Sequence, residues 1–538
     1  MKQIVTLLLF STFSVSTFAQ KNIERPKLVV GVVVDQMRWD YLYRFYDRYS
    51  ANGFKRLMND GFNCQQTMIN YLPAYTAPGH ACIYTGSVPS IHGIAGNNWI
   101  DNNTGKHWYC TEDTSVSPVG GSKQAGMMSP KNMLVTTVTD ELRLATNFKS
   151  RVFGFSLKDR GAIIPAGHLA NGAYWYDDST GSFISSSFYG NTLPAWLNTF
   201  NNQRLPDTFL RQPWETLYPI NTYTQSIKDN NRYEGNFSGE KNPVFPHIVK
   251  SSSYPNMRRL PSGNTYTFHA AKACIEGEYL GMKNETDFLC ISLSSPDYIG
   301  HQFAPNSVEV EDTYLRLDKD LGDFITYLDK KLGKGNYLMF LTADHGGAHN
   351  ASYLNDIKIP AGNEQEGKIL SQLKELSKTK FGTDELIRGY DNYQVFLDHK
   401  KLESHKIEEE DLKIAIKEWF YKSPQVAYVL DMQEMDETPV PEPILTKAIN
   451  GYHRLRSGDL LVIYNPGWYH GYGQTGTTHG TWHPYDSHIP LLWYGWKIKK
   501  GSSNRTINME DIAATLAAML HIQMPNGCIG KVISEVAP

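Results

Sequence analysis

A threonine that precedes an alanine, a proline and a glycine lies in a segment that could supply a nucleophile. The segment reads YLPAYTAPGHACIYTGSVPSIHGIAGNNW, from Tyr71 to Trp99. A threonine hydroxyl reacts poorly at neutral pH, and a bound metal ion would activate it by stabilising the alkoxide. The residues APG suit the first turn of a helix, which predicts Thr76 at a helix N-terminus, where anions are favoured. A capping role for Thr76 is the alternative, and the same geometry serves both roles.

Aspartate and histidine side chains follow two apolar segments with a spacing that suits metal ligands. Asp297 and His301 are four residues apart in PDYIGH, which places both on one face of a helical turn. Asp344 and His345 are adjacent in TADHGGAH. Zinc binds carboxylate oxygen and imidazole nitrogen, and a catalytic zinc site keeps one position open. A single Asp–His pair is more often a salt link or a turn, but two pairs after buried strands favour a metal site.

Asp35 and one late histidine would bring the set to six ligands, enough for two zinc ions with three protein ligands each. The segment from Gly476 to Gly495 offers His479, His483 and His488 as that late histidine. Glycines beside His479 let the backbone approach a metal closely, whereas His488 precedes an apolar strand and suits a structural role. We favour His479, and His483 is the alternative.

Three apolar segments end at these polar residues and are predicted to be strands of one sheet. They are KLVVGVVVD (27–35), DFLCISLSSPD (287–297) and YLMFLTADH (337–345). Such segments fit strands buried on both faces of a parallel sheet, and open α/β sheets bind ligands beyond the carboxyl ends of their strands. Helical patterns at 308–332 and 509–520 accompany them. The predicted fold is α/β, with a doubly wound, mostly parallel central sheet and helices on both faces.

Length and composition indicate a large globular protein. The chain has 538 residues, of which 41% are hydrophobic and 12% aromatic. Residues 1–19 have the pattern of a cleaved secretory signal, because their apolar run is too short to span a membrane, so we expect a periplasmic or secreted protein. Residues 20–538 are then predicted to form a single catalytic domain. Two segments, about 174–254 and 351–455, look like irregular insertions into it.

The charge balance gives no indication of a polyanionic partner. The formal net charge is −3, so we expect neither a nucleic-acid-binding surface nor an anionic membrane partner. We also expect no membrane span and a monomer. Six cysteines in an exported chain could form disulfides, but their spacing does not determine the pairing.

Five motifs together resemble the alkaline phosphatase superfamily of two-zinc phosphotransfer enzymes. They are VVVDQMRWDYL, PAYTAPGHACIYTGSVPSIHGI, SPDYIGHQFAP, TADHGG and GTTHG, in the order that this superfamily shows. The resemblance implies that Asp35, Asp344 and His345 hold the zinc ion that activates Thr76. Thr76 itself is therefore counted among the ligands of that ion.

The resemblance also implies a second zinc ion, two reaction steps and a group that binds the phosphoryl oxygens. Asp297, His301 and His479 would hold the zinc ion that stabilises the leaving-group oxygen and later activates water. A covalent phosphothreonine would form in one in-line displacement and be cleared by a second. Asn97 would donate a hydrogen bond to a non-bridging phosphoryl oxygen, with Asn98 as the nearby alternative.

The segment FSLKDRGAIIPAGH (155–168) resembles the phosphate-irrepressible alkaline phosphatases of the PafA type within this superfamily. A phosphate monoester dianion carries more negative charge than a diester. The cations Lys158 and Arg160, aimed at its free oxygens, would therefore favour the monoester. The alternative is that KDR is a solvated surface turn.

The predicted function is that of an exported, zinc-dependent phosphate monoester hydrolase that releases inorganic phosphate from varied small-molecule substrates. A phosphodiesterase or nucleotide pyrophosphatase on the same two-zinc scaffold is the first alternative. A binding protein with purely structural zinc is disfavoured, because such sites usually have four protein ligands and no open position. Cys82 continues as CIYTG and lacks the proline and arginine of the sulfatase C-x-P-x-R pattern.

Overall fold

The computed structural model describes residues 23–249, 253–435, 438–471 and 473–537. The predicted signal segment, residues 1–19, lies outside these described residues. A search of the described helices for one with the length and apolarity needed to cross a bilayer finds none.

The strands are short and spread along the whole chain. In chain order they are β1 (Leu28–Val34), β2 (Phe62–Met68), β3 (Asn98–Ile100), β4 (His107–Tyr109), β5 (Pro118–Val119), β6 (Val152–Ser156), β7 (Gly172–Asp177), β8 (Ser182–Ser186), β9 (Asp287–Leu293), β10 (Tyr337–Thr342), β11 (Gly362–Glu364), β12 (Ile387–Asp391), β13 (Gln394–Leu397), β14 (Val426–Asp431), β15 (Leu460–Tyr464), β16 (Trp468–His470), β17 (His488–Ile489), β18 (Leu491–Gly495) and β19 (Gly501–Asn508).

The helices alternate with these strands. In chain order they are α1 (Tyr41–Arg44), α2 (Phe54–Asp60), α3 (Thr76–Thr85), α4 (Pro89–His92), α5 (Lys123–Gly126), α6 (Val138–Ala145), α7 (Asp159–Ala166), α8 (Ala195–Asn201), α9 (Leu205–Arg211), α10 (Ser262–Glu278), α11 (Ser295–Phe303), α12 (Val308–Leu332), α13 (Ala351–Asp356), α14 (Glu366–Phe381), α15 (His399–His405), α16 (Glu409–Tyr421), α17 (Glu442–Gly451), α18 (Pro484–Ser487) and α19 (Asp511–Leu520). The two helical patterns noted in the sequence correspond to α12 and α19.

An eleven-stranded sheet forms the centre of the molecule. Its strand order is β17, β2, β18, β10, β1, β9, β6, β7, β8 and β5, and β19 pairs with β2. The five strands from β10 to β7 in this order are parallel, and antiparallel strands extend the sheet at both ends. The predicted α/β fold with a mostly parallel central sheet is confirmed.

The three strands predicted from apolar segments are the central neighbours β10, β1 and β9. Every residue of each is buried, which explains why their sequences are mostly apolar. Val33 of β1 pairs with Thr342 of β10 on one side and with Ser292 of β9 on the other. The three strands therefore end level with one another, and the residues that follow them reach the same edge of the sheet.

The segment 351–455, which the sequence suggested is an irregular insertion, is largely regular. Strands β12, β13 and β14 join β15 in a separate antiparallel four-stranded sheet. This sheet and helices α14 and α16 enclose an apolar core of their own, built from residues such as Leu373, Ile416 and Val462. We refer to this unit, residues 366–464, as the cap.

The other predicted insertion, 174–254, has strands and α-helices only in its first part, among the described residues. Strand β8 extends the central sheet beyond β7, and α8 and α9 follow. Between α9 and residue 249 the chain forms one short 3-10 helix, Ile220–Thr222, and loops. All six cysteines are free thiols, and five are buried, so none of the disulfides that an exported chain could form is present.

Candidate active site

The residues that follow β1, β9 and β10 converge at the carboxyl edge of the sheet. Asp35 comes directly after β1, and Asp344 lies two residues after β10. Asp297 lies in the first turn of α11, the helix that follows β9. All three carboxylates are buried, which requires compensation by positive charge or by hydrogen-bond donors.

Asp297, His301 and His479 form the first group of potential metal ligands. One ligand atom from each residue lies within 4.8 Å of the other two. His301 Nε2 is 3.2 Å from Asp297 Oδ1, and His479 Nε2 is 3.7 Å from the same oxygen. Helix α11 brings Asp297 and His301 together at the predicted spacing of four residues, and the loop before α18 supplies His479.

Asp35, Asp297 and His345 form a second group by the same criterion. His345 Nε2 is 3.4 Å from Asp35 Oδ1 and 3.6 Å from Asp344 Oδ2. Asp344 is predicted to be a ligand in this set, but it lies beside the group, and Asp297 contributes an oxygen to both groups. The two groups are adjacent, as a pair of metal ions acting on one substrate requires.

The three histidines share an arrangement that leaves Nε2 available to a metal ion. Nδ1 is 2.8 Å from the Thr477 carbonyl in His301, 2.8 Å from the Ala74 carbonyl in His479 and 2.9 Å from the Gly346 carbonyl in His345. A carbonyl oxygen only accepts hydrogen bonds, so Nδ1 carries the proton and a neutral ring keeps a lone pair on Nε2. Backbone carbonyls orient metal-binding histidines in this way in many proteins.

Two carboxylate oxygens at these groups are buried without a hydrogen-bond donor in the described part of the chain. Asp35 Oδ1 and Asp344 Oδ2 are buried and have no hydrogen-bond partner among the described residues. Burial, followed by repulsion from Asp35, raises the pKa of Asp344 well above its usual value. Burial lowers the pKa of His345, but the carboxylates of Asp344 and Asp35 outweigh it and raise the pKa to about 9. The donor set and its charge therefore fit divalent metal ions.

Thr76 lies at the first position of α3, as predicted, and its side chain points to the second group. The distance from Thr76 Oγ1 to His345 Nε2 is 3.4 Å. The N-cap residue of α3 is Tyr75, and no side chain caps this helix end. Thr76 is thus not the capping residue, and its buried hydroxyl is free to face the potential metal ligands.

Asn97 lies beside the nucleophile candidate. Its side-chain Oδ1 accepts a hydrogen bond of 2.9 Å from the backbone amide of Ala77, the residue after Thr76. This bond fixes the amide group, so that Nδ2 remains as a donor. Asn98 is exposed and lies in β3, where its carbonyl accepts a hydrogen bond from Asn392.

Lys158 is buried in the site and does not belong to a solvated turn. Its side chain is 2% exposed, and Nζ is 2.6 Å from both Asp35 Oδ2 and Asp297 Oδ2. Burial lowers the pKa of Lys158, but Asp297 and Asp35 outweigh it and raise the pKa to about 12. The ammonium group therefore remains charged and contacts two of the potential metal ligands.

Arg160 lies two residues after Lys158, in the first turn of α7, and is partly exposed. Its Nη1 donates a hydrogen bond of 3.0 Å to the Tyr109 hydroxyl, and its Nε is buried without a partner among the described residues. Asp159 accepts a hydrogen bond of 2.8 Å from the same hydroxyl. Tyr109 thus orients Arg160, and the guanidinium keeps further donors for an anion.

The remaining histidines of the late segment lie away from the potential ligands. His483 Nε2 is 3.2 Å from the Tyr464 carbonyl, and His483 is the N-cap residue of α18. His488 Nε2 is 2.9 Å from the Gln65 carbonyl, and its ring stacks on Trp39. Of the three candidates, the structure brings His479 to the site.

Several supporting residues could not be identified from the sequence. Gln36 has a positive φ, and its Nε2 donates a hydrogen bond of 2.8 Å to Asp297 Oδ1. His80 Nδ1 is 2.8 Å from the Thr76 carbonyl, and its Nε2 is 2.9 Å from Ser292 Oγ. Gln36 follows Asp35 directly, which is the only sequence signal that it carries, and the contacts of His80 depend on how α3 packs against β9.

The sequence matches a known family over most of its length. A sequence profile of the type I phosphodiesterase / nucleotide pyrophosphatase family matches residues 29–486. The chain is 52% identical over 526 residues to alkaline phosphatase PhoV of Synechococcus elongatus, which covers 97% of this chain and 94% of that protein. It is also 51% identical over 530 residues to a protein of Myroides odoratus named calcium-transporting ATPase, with 97% of each chain covered.

A solved structure agrees with the fold described above. The crystal structure of wild-type alkaline phosphatase PafA superposes with a TM-score of 0.94 at 50% sequence identity, and the match covers 96% of this chain and all of that chain. The likeness therefore includes the central sheet, the cap and the segments that carry the site.

Proposed function

Because this chain belongs to the type I phosphodiesterase / nucleotide pyrophosphatase family and is half identical to alkaline phosphatases over nearly its full length, we propose that it is an alkaline phosphatase. It hydrolyses phosphate monoesters and releases inorganic phosphate. The observation that carries the monoester assignment is the burial of Lys158 against Asp35 and Asp297 of the carboxylate–histidine groups, with the partly exposed Arg160 two residues further along the chain.

Two zinc ions are the proposed cofactors. Asp35, Asp344 and His345 would hold one ion, together with the Thr76 oxygen. Asp297, His301 and His479 would hold the other. When bound, such ions supply positive charge that stabilises an alkoxide and a departing oxygen.

The first chemical step uses the position of Thr76. The Thr76 hydroxyl loses its proton, its oxygen attacks the phosphorus atom, and the bond from phosphorus to the ester oxygen breaks. The leaving alcohol takes up a proton, and the phosphoryl group remains on Thr76. Helix α3 fixes the direction of attack, because its N-terminal residue carries the nucleophile and its backbone amides point toward the incoming anion.

The second step reverses the roles of the oxygens. A water molecule attacks the phosphorus atom of phosphothreonine and gives up a proton, the bond to Thr76 Oγ1 breaks, the threonine oxygen takes up a proton, and inorganic phosphate leaves. Asn97 Nδ2 and the Arg160 guanidinium donate hydrogen bonds to the non-bridging oxygens in both steps. A monoester dianion offers more charge to Lys158 and Arg160 than a diester, so these two cations favour the monoester.

The same chemistry accommodates the name of the Myroides relative. Removing the terminal phosphoryl group of ATP also breaks a bond between phosphorus and a bridging oxygen, and the terminal group has the free oxygens of a monoester. The proposed substrates are small phosphate monoesters in general. The proposed enzyme acts as a monomer, after export to the periplasm or the medium.

The test compares kcat/KM for p-nitrophenyl phosphate with that for methyl p-nitrophenyl phosphate on zinc-replete mature protein. Wild type is expected to prefer the monoester, and the Lys158→Ala/Arg160→Ala double variant is expected to lose most of that preference. Lys106→Ala, which changes an exposed lysine on the loop between β3 and β4, is the control and keeps the wild-type ratio. A diester preference in wild type would instead make the protein a phosphodiesterase on the same scaffold.

A further inference from the structure

A tight turn of the cap reaches the segment that carries Asn97. The turn is formed by Asn392 and Tyr393, and it joins β12 to β13 in a hairpin in which Asp391 pairs with Gln394. Both turn residues have a positive φ, 56° for Asn392 and 63° for Tyr393. Two-residue hairpin turns of type I′ require this backbone conformation and favour glycine at the second position. We call Asn392 and Tyr393 the cap turn.

The cap turn contains no glycine, although glycine would adopt its backbone conformation with less strain. Asparagine tolerates a positive φ better than most residues, whereas a bulky aromatic residue rarely adopts one. Residues held in such conformations cluster at functional sites, where the surrounding structure maintains them. Asn392 and Tyr393 are 6% and 4% exposed, so both pack against other parts of the molecule.

The Tyr393 side chain fixes the cap turn beside the loop that carries His479. Its ring stacks on the His470 ring with the centroids 3.9 Å apart, and its hydroxyl donates a hydrogen bond of 3.4 Å to the His479 carbonyl. A Cβ atom on Gly480 would lie 3.0 Å from the Tyr393 ring, so this glycine allows the close approach. The Tyr393 carbonyl accepts a hydrogen bond of 2.8 Å from Val462 N of β15, which anchors the turn in the cap.

The Asn392 side chain bonds to the residue after Asn97. Its Nδ2 donates a hydrogen bond of 2.8 Å to the Asn98 carbonyl. A Cβ atom on Gly96 would lie 2.8 Å from the same Nδ2 atom, so this approach requires the glycine before Asn97. Asn392 therefore lies against the residues on both sides of Asn97.

Strand β3, which begins at Asn98, is held in place partly by the cap. Its three residues pair with β4 in a two-stranded sheet, and such a ribbon is at best marginally stable by itself. In the turn between β3 and β4, Asn102 N donates a hydrogen bond of 3.0 Å to the Leu455 carbonyl, and Asn102 Nδ2 donates one of 2.8 Å to the Ser457 carbonyl. The cap thus holds both ends of β3.

We propose that Asn392 is a positioning residue for Asn97, an inference that rests on the proposed role of Asn97 at the phosphoryl oxygens. The Asn97 side chain is fixed through Oδ1, which accepts from Ala77 N over 2.9 Å. Asn392 fixes the backbone that carries this side chain. Together the two bonds set the direction of Asn97 Nδ2 relative to Thr76, the residue before Ala77. Asn392 thus acts through Asn97 and not on the substrate directly.

A double-mutant cycle on the zinc-replete, full-length mature protein tests this coupling. Asn392→Gly removes the donor and suits the positive φ of the turn, so it is expected to fold and to lower kcat/KM for p-nitrophenyl phosphate about tenfold. In Asn97→Ala the same change is expected to lower kcat/KM less than about twofold, because no amide remains to be positioned. Asn147→Gly, at an exposed asparagine with a φ of 49° after α6, is the matched control and keeps wild-type kinetics.

Two results would overturn the proposal. One is that Asn392→Gly leaves kcat/KM unchanged, and the other is that it lowers kcat/KM equally in wild type and in Asn97→Ala. If Asn392→Gly does not fold, Asn392→Asp completes the same cycle, because aspartate has a similar size, tolerates a positive φ and lacks the donor.

Failure of the proposed function would give a different result. Full activity of Asn97→Ala by itself would overturn the proposed role of Asn97, and this inference with it. The cycle is also run with methyl p-nitrophenyl phosphate, so a preference for the diester would overturn the monoesterase proposal while the coupling between Asn392 and Asn97 is still measured.

Discussion

At the scale of single residues, each potential metal-binding histidine and Asn97 have two polar side-chain atoms, and one of the two is hydrogen-bonded to the backbone. Each potential metal-binding histidine uses Nδ1 on a backbone carbonyl, and Asn97 uses Oδ1 on the Ala77 amide. This leaves Nε2 of each histidine free for a metal ion and Nδ2 of Asn97 free as a donor, and His345 Nε2 is 3.4 Å from the Thr76 hydroxyl oxygen. Preorganised donors and ligands of this kind lower the reorganisation needed when charge develops on a phosphoryl group.

Thr76→Ala is expected to lower kcat for p-nitrophenyl phosphate by about a thousandfold or more, because it removes the hydroxyl group that is proposed as the nucleophile. Thr76→Ser keeps a hydroxyl at that position and is expected to retain much more activity. Rapid-quench experiments at low pH would capture phosphoserine or phosphothreonine in the active proteins and neither in Thr76→Ala. Undiminished turnover in Thr76→Ala would contradict the nucleophile assignment.

Lys158 and a bound metal ion compete for the same carboxylates. The ammonium group is 2.6 Å from oxygens of both Asp35 and Asp297, and it repels a divalent ion placed there. Lys158→Met is therefore expected to bind zinc at least about threefold more tightly, although its monoesterase activity falls. Competition against a zinc-binding dye would measure the change, and weaker zinc binding in Lys158→Met would contradict the geometry described here.

At the scale of elements, the approach of α3 to the end of β10 sets the position of the nucleophile. Every residue of α3 is buried, and the helix ends at Gly86 in the left-handed conformation. A Cβ atom on Gly79 would lie 2.5 Å from the carbonyl oxygen of Asp344 and 2.7 Å from the Cβ atom of Asp344. The absence of a side chain at this glycine therefore allows Thr76 to reach the carboxylate–histidine groups.

Gly79→Ala is expected to push α3 away from β10 and to lower kcat by about a hundredfold, because small displacements of reacting groups are costly. Gly367→Ala provides a matched control, since a Cβ atom on that helical glycine of the cap would meet no atom within 4 Å. This control is expected to keep full activity and normal or slightly higher stability. Equal activity in the two variants would show that the contact with Asp344 does not position Thr76.

At the scale of the whole molecule, the chain forms one large sheet and a cap with its own core. Residues of the cap also reach the site region, because the Tyr393 hydroxyl donates a hydrogen bond to the His479 carbonyl. Within the cap, His399 bridges two carboxylates from different elements, with Nε2 2.9 Å from Asp459 Oδ1 and Nδ1 2.9 Å from Glu409 Oε2. The stability of the cap therefore includes a contribution that depends on pH.

The pH range in which this contribution disappears follows from the raised pKa of His399. The hydrogen bond to Asp459 outweighs burial and raises the pKa of His399 to about 9. A raised pKa means that the folded state holds the proton more tightly, so the stabilisation is fully present below the usual histidine pKa and is lost as the pH rises through about 9. His399 is partly exposed, and solvent screening keeps the effect small.

His399→Gln is expected to lower the melting temperature relative to wild type at pH 6, and the difference is expected to vanish near pH 10. His107→Gln, at an exposed histidine of β4, serves as the control and should show no such pH-dependent difference. A His399→Gln deficit that is equally large at pH 6 and pH 10 would show that packing, and not the proton, accounts for it.

The sequence by itself determined the parts of the molecule that depend on local pattern. Largely apolar segments identified β1, β9 and β10, because strands buried on both faces have few polar positions. The spacing of Asp297 and His301 predicted that they share a helix face, and the motif after Tyr75 predicted a helix beginning at Thr76. The fold class and the set of candidate ligands follow from these local signals.

Tertiary structure alone decided which of the equivalent groups meet. The sequence left His479, His483 and His488 open, and the path of the loop after β16 brings only His479 to Asp297. The sequence also left the KDR segment, residues 158–160, as either a surface turn or part of the site. The packing of α7 buries Lys158 against Asp35. These contacts join residues more than a hundred positions apart, so they depend on the arrangement of the sheet, about which local sequence patterns carry no information.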